Sequence, residues 1–275
     1  MIALAVLPGL ILFFAVWKLD TVEKEPPALL LKLFISGALV MIIDILIRTL
    51  GLKIMEGSYN GTSILLYTFI DAFILTALIE EGGRLIVLKL LTWKNKEFNY
   101  TFDAIVYAVI VSVGFLTAEN IFYLIKYGSD LNPVKLILPI IAQIIISVFM
   151  GYFYGLAKLA ECGEDVSAKK MHLCEAILIP IALHGFYELC LSSGELIFIV
   201  LFIIYALIMT VMAVLFFFKV QKNDTAIEWN NETYEDGDPF ERNVTELLHK
   251  NDSEERTVAS GDETITDGEA KKGGM

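Results

Sequence analysis

The sequence is poor in the residues on which many soluble enzymes and stapled domains depend. It has three cysteines and three histidines in 275 residues. Cys162, Cys174 and Cys190 form no CxxC pair and no metal-ligand spacing, which argues against a disulfide scaffold or a structural zinc module. Lys and Arg are not clustered, and 33 acidic residues stand against 21 basic ones, so no surface suits nucleic acid. The weak ten-residue alternation of membrane-barrel strands is missing as well. No basic stretch precedes the first apolar run, Leu4–Trp17, and Trp17-Lys18-Leu19-Asp20 offers no small-residue cleavage site. That run is therefore expected to be a retained first span.

What the chain does have is long apolar runs. Hydrophobic residues make up 56% of it and the mean hydropathy is +0.64, too apolar for a soluble domain of this length. After Leu4–Trp17 come Leu29–Leu50, Ser63–Leu91, Phe102–Ile125, Leu136–Ala160, Ala176–Leu191 and Leu196–Phe218. Most approach the roughly 20 apolar residues needed to cross about 30 Å of hydrocarbon as a helix. Helices satisfy their own backbone groups in lipid. The expected fold is all-α, a polytopic membrane bundle of about seven transmembrane helices over residues 1–218. Residues 219–275 carry fifteen acids and seven bases, a net −8 of the chain's −12. This polar segment reads as a disordered cytoplasmic tail.

Basic residues set the expected orientation. Lys18, Lys24, Lys89, Lys94, Lys96, Lys158, Lys169, Lys170, Lys219 and Lys222 fall in one set of alternate loops, against Lys53, Lys126 and Lys135 in the other. The excess puts the N-terminus outside and the C-terminus in the cytoplasm. Six Asn-x-Ser/Thr matches fall mostly in the cytoplasmic loops or tail and carry no weight.

Against this apolar background, ionisable residues inside the spans stand out, because each costs roughly 2.5–3.5 kcal/mol on insertion scales and so marks a functional site by default. The third span contains Glu80-Glu81-Gly82-Gly83-Arg84. Arg84 lies within reach of both carboxylates on a helix. Two acids in unequal surroundings can divide water activation and proton donation between them. Gly82 and Gly83 leave room for a substrate backbone or a neighbouring helix. The fourth span contains Phe115, Glu119 and Asn120: a third carboxylate, an amide able to hold an oxyanion, and an aromatic ring one turn back to shield them. In the sixth span His184 and Glu188 share a helix face, so the carboxylate can orient the imidazole. All three sets lie about 10–15 residues from the expected cytoplasmic ends, about 15–22 Å deep. Asp44 and Arg48 are expected to neutralise each other. Asp71 fits either a fourth site acid or a helix contact. Gly151 and Gly155 suggest close helix packing, and Pro139 and Pro180 suggest kinks.

These motifs, in this order, resemble the PrsW family of intramembrane proteases, related to CAAX-processing and bacteriocin-processing membrane proteases. The resemblance covers most of residues 1–218. It is carried by Pro8-Gly9, Glu25-Pro26, Glu80-Glu81 with Arg84, Asp103…Tyr107, Gly114-Phe115…Glu119-Asn120, Gly151-Tyr152…Gly155 and His184-Gly185…Tyr187. It implies that Glu80 and Glu81 activate the attacking water, that Glu119 and Asn120 help position it, and that His184 stabilises developing charge. The implied substrate is a single-pass membrane protein, notably an anti-sigma factor cut in a bacterial stress response. Two positions depart from the family pattern: Gln143 stands where a His is usual, and Glu188 where an Asp is usual. Gln cannot take a proton at neutral pH, although its amide can still hydrogen-bond an oxyanion. With His184 the single imidazole in the spans, carboxylate chemistry without a cofactor is favoured over zinc. A carboxylate-rich site for another metal stays open. Two other functions compete: a non-catalytic relative that binds transmembrane helices of partners, and a proton-coupled transporter. No inverted repeat supports the second.

Overall fold

The computed structural model describes residues 2–20, 23–58, 63–128, 134–193 and 195–227. Eight α-helical segments are present: α1 (Ile2–Leu19), α2 (Pro27–Ser58), α3 (Ile64–Ile70), α4 (Ile79–Thr92), α5 (Asp103–Tyr127), α6 (Val134–Cys162), α7 (Val166–Ser192) and α8 (Leu196–Lys222). A π-helical stretch, Asp71–Leu78, joins α3 to α4 without a break. The described residues thus form seven helical runs, and an isolated bridge between Tyr100 and Ala226 supplies the extended pairing. Five runs, α2 and α5–α8, contain stretches long and apolar enough to cross a membrane. The shorter α1 and the charged composite α3–α4 complete the set. This is a multi-pass membrane protein. The acidic residues 228–275 lie outside the described residues, as do most of the sequons.

Helix α5 is the hub, packed against α1, α2, α4 and α6. Every residue from Asp103 to Thr117 is buried, which fits a segment apolar on all its faces. Because lipid tails are as apolar as Leu, helices in a bilayer associate through close packing of small residues. Gly37 on α2 and Gly114 on α5 show this directly. An added Cβ at Gly37 would run into the Val111 carbonyl, and one at Gly114 into the Phe34 carbonyl. On α6, a Cβ at Gly151 would fall 2.6 Å from the Ile105 Cα, so the small-residue pattern read from the sequence sets the α5–α6 contact.

At the other extreme, the most apolar window of α8 has a mean hydropathy of 3.0 and is only 6% buried. Its exposed Leu, Ile and Val side chains suit acyl chains. Helix α7 is longer than its apolar run, starting at Val166 behind an Asp165 cap whose side chain accepts from the Ala168 amide at 2.9 Å. Helix α8 runs past the expected boundary at Phe218 to Lys222. Residues 223–227 then fold back, with the Asp224 carboxylate accepting from the Phe102 amide at 2.9 Å.

Candidate functional site

Four helices, α4 to α7, supply the polar groups. On α4, Arg84 is fully buried and spans both acids: its Nη2 donates to Glu81 Oε1 at 2.6 Å and to Glu80 Oε2 at 3.3 Å. The guanidinium lies 4.9 Å from the Phe115 ring of α5, so the aromatic residue covers the charge rather than the acids. Nη1 donates to Gln143 Oε1 on α6 and approaches Ser112 Oγ at 3.4 Å. Three helices therefore converge on one permanent cation.

The bond from Arg84 determines how the Gln143 amide is turned. With Oε1 engaged, Nε2 points at His184 and lies 3.3 Å and 3.2 Å from the two ring nitrogens. The imidazole is held from the other side by Glu81, whose Oε1 is 2.8 Å from His184 Nδ1. Glu188 Oε1 is 3.9 Å from Nε2, one turn further along α7. Close approach of α7 is possible because residue 185 is Gly: a Cβ there would fall 2.6 Å from Phe73 Cγ in the π-helical stretch. That stretch immediately precedes Glu80-Glu81, and π segments recur at functional sites.

A cavity of about 450 Å³ opens beside these groups, walled by Glu80, Glu119, Gln143, His184 and Glu188, with Arg48, Thr76 and Tyr187 among its other lining residues. All four expected acids and bases are thus close together, but not equivalently. Glu80 and Glu119 face the cavity. Glu81 does not; it is fully buried, with Oε2 lacking a hydrogen-bond partner, and its other oxygen serves Arg84 and His184. Asn120 is buried at 2% exposure and lies outside the cavity wall. Gly82 meets nothing within 4 Å, whereas Gly83 abuts Val40 of α2. Glu119 lies sixteen residues past Asp103 and eight before Tyr127, about 24 and 12 Å along the axis. The wall extends toward the nearer end through Tyr123, Tyr127 and Leu191.

Arg48 departs from the expected pairing. It reaches Asp71 at 3.5 Å across helices, while Asp44 Oδ1 is buried without a hydrogen-bond partner. Asp71 is therefore a helix contact, and Arg48, whose charge still acts on Asp44, also lines the cavity. The sequence did carry the signal, since an Arg inside a span is itself exceptional. Tyr123, Tyr127 and Tyr187 carried no such signal.

The model of the PrsW family of intramembrane metalloproteases matches residues 25–217. Protease PrsW of Shouchella clausii is 30% identical over 79% of this chain and 94% of its own length. The protein of the same name from Oceanobacillus iheyensis is 32% identical over 68% of the chain and 80% of its own. That from Clostridioides difficile is 30% identical over 75% and 85%. No solved structure matches. The family description implies a metal; Glu80, Glu119, His184 and Glu188 offer donors in the cavity, but as they stand their ligand atoms are not gathered closely enough to share one. Among the described residues, the one set of three His, Cys, Asp or Glu ligand atoms within 4.8 Å of one another lies elsewhere. Between Glu80 and Glu81 the Arg84 guanidinium already takes the place of a cation. The match over most of the chain and the convergent acids, imidazole and arginine agree: the chain belongs to the PrsW family of intramembrane proteases.

Proposed function

We propose that the chain is an intramembrane endopeptidase in which Glu80 activates water for attack on a peptide bond of a membrane-anchored protein. The observation that carries this is the shared cavity, where Glu80 and Glu119 face His184 and Gln143. Glu80 takes a proton from the water as its oxygen bonds to the peptide carbonyl carbon. The carbonyl oxygen becomes an oxyanion, stabilised by the Gln143 amide and by His184, both held in place before substrate arrives. Glu119 or the newly protonated Glu80 gives a proton to the amide nitrogen as the C–N bond breaks. The products are a carboxylic acid and an amine, and no cofactor takes part. Glu81 acts as the positioning residue, orienting His184 and Arg84. Open space beside Gly82 suits an extended peptide segment.

Gln143 offers an acceptor toward Arg84 and donors toward His184, the pattern a neutral imidazole would present. Its substitution for the family's His therefore preserves hydrogen bonding without adding a second base. An anti-sigma factor with one membrane span is the proposed substrate class, supported by the family membership alone. The N-terminus lies outside and the C-terminus in the cytoplasm in this proposal, supported by the distribution of Lys. Reconstitution with a candidate single-span substrate tests it. Wild type should yield two fragments, and Glu80→Gln should yield none while still inserting in the membrane. Intact substrate with the wild type, but stable capture of it, would instead support a non-catalytic helix-binding relative.

A further inference from the structure

A second polar cluster lies at the opposite end of α5, outside the proposed active site. Asp20 follows the last residue of α1, Glu25 lies in the α1–α2 connection, and Asp103 opens α5. One carboxylate oxygen from each lies within 4.8 Å of the others, and all three residues are buried. Asp20 is 2% exposed, yet its Oδ2 has no hydrogen-bond partner. A buried carboxylate oxygen without a donor is costly unless something cationic meets it.

Each carboxylate is also oriented from behind. Asp103 Oδ2 accepts from the Asn99 and Tyr100 amides at 3.1 and 2.7 Å. Glu25 Oε2 accepts from the Tyr107 hydroxyl at 2.6 Å, and that hydroxyl oxygen is 3.0 Å from the Glu97 carbonyl. Asp20 takes a hydrogen bond from the Glu25 backbone amide. Supporting bonds of this kind pre-orient the ligands of metal sites. Nearby acids add negative charge, Glu23 and Asp224 at Asp20 and Glu97 at Glu25, and the Lys24 ammonium offsets part of it at Asp20. Lys24 does not settle on the carboxylate oxygens. Its ammonium caps α1, 2.7 Å from the Trp17 carbonyl and 3.1 Å from that of Lys18.

We propose that Asp20, Glu25 and Asp103 bind a hard divalent cation, of the calcium, manganese or magnesium class, that ties the α1–α2 connection to the start of α5. The all-oxygen donor set selects that class over zinc or copper. Ligands on opposite sides of such an ion are separated by roughly 4.1 Å for magnesium and 4.8 Å for calcium, which the cluster accommodates. The site is independent of peptide cleavage and joins segments distant in sequence. The alternative occupant is a proton, since Glu25 and Asp103 hydrogen-bond through their side chains.

The test uses the full chain, purified in detergent and stripped with chelator. Calcium, manganese and magnesium salts are added separately while the melting temperature is followed. Terbium emission sensitised by Tyr107 gives a direct binding readout. At least one cation should raise the melting temperature of wild type and of Glu81→Gln, and displace bound terbium. Asp20→Asn should lose both responses. Its Oδ2 makes no hydrogen bond, so the fold has little reason to suffer; if it does not accumulate, Glu25→Gln answers the same question. No rise with any of the three cations would overturn the proposal in favour of a shared proton. An equal rise or undiminished terbium emission in the variant would overturn it in favour of adventitious binding. Neither readout involves a substrate, so failure here leaves the protease proposal untouched.

Discussion

Nδ1 of His184 lies 2.8 Å from Oε1 of Glu81, and this contact separates the roles of two adjacent acids. Glu81 is committed to the imidazole and to Arg84, while Glu80 retains an edge on the cavity. Adjacent residues on a helix point about 100° apart, so they cannot serve one substrate in the same way.

Glu80→Gln and Glu81→Gln should therefore fail differently. Loss of a general base costs about 10²–10⁴ in rate, and Glu80→Gln should show this with a smaller fall in melting temperature than Glu81→Gln, because it gives up only the longer, 3.3 Å pair with Arg84. Glu81→Gln should lose activity and also lower the melting temperature, because Arg84 and His184 lose their shared anion. Equal stability of the two variants in detergent would contradict the division of roles.

Gln143 invites a pair of substitutions. Gln143→Ala removes an amide donor from the cavity and should lower kcat by about 10²–10³, the scale of a lost oxyanion donor. Gln143→His, which can accept from Arg84 and donate from its second nitrogen, should retain much more activity. Comparing kcat for the two on one fluorogenic transmembrane substrate decides the point.

Arg84 is the buried cation on which α4, α5 and α6 converge. Arg84→Ala leaves two carboxylates without their partner, and breaking a buried pair in this way costs about 3–5 kcal/mol. The variant should unfold markedly earlier in a denaturant or thermal series. A stability equal to wild type would mean that the charge is compensated elsewhere.

Chelation should separate the two polar clusters. With carboxylate-activated water, exhaustive EDTA treatment should leave kcat intact at temperatures well below unfolding. The same treatment should lower the melting temperature if the Asp20 cluster holds a cation. Activity lost in EDTA and restored by one defined metal, at a temperature where the fold is intact, would overturn the metal-free mechanism.

Much of the architecture was legible because burial in lipid leaves few options. A run such as Leu196–Phe218 has to be a helix, and its near-total exposure to the bilayer follows from having no polar face to hide. The ionisable residues of the third, fourth and sixth spans were equally visible, since their cost in hydrocarbon makes chance placement rare. Other features could not be read in this way. The i, i+4 spacing of Asp44 and Arg48 suggested an internal pair, yet Arg48 turned to Asp71 because the π-helical stretch brings that acid across from α2. Nor could spacing reveal that Asn120 lies outside the cavity wall while Gln143 supplies an amide to it.

Composition and order along the chain thus determined the membrane-spanning helical class, the acidic tail and the short set of residues able to do chemistry, because each follows from local hydropathy and the price of burying charge. Only the tertiary structure decided which of those residues face one another. Glu80 was separated from Glu81, Gln143 was turned by Arg84, and Asp20, Glu25 and Asp103 were gathered from three segments. Those outcomes depend on how glycine contacts and a π-helical stretch set helix rotation and approach, and neither leaves a periodic trace in a single sequence.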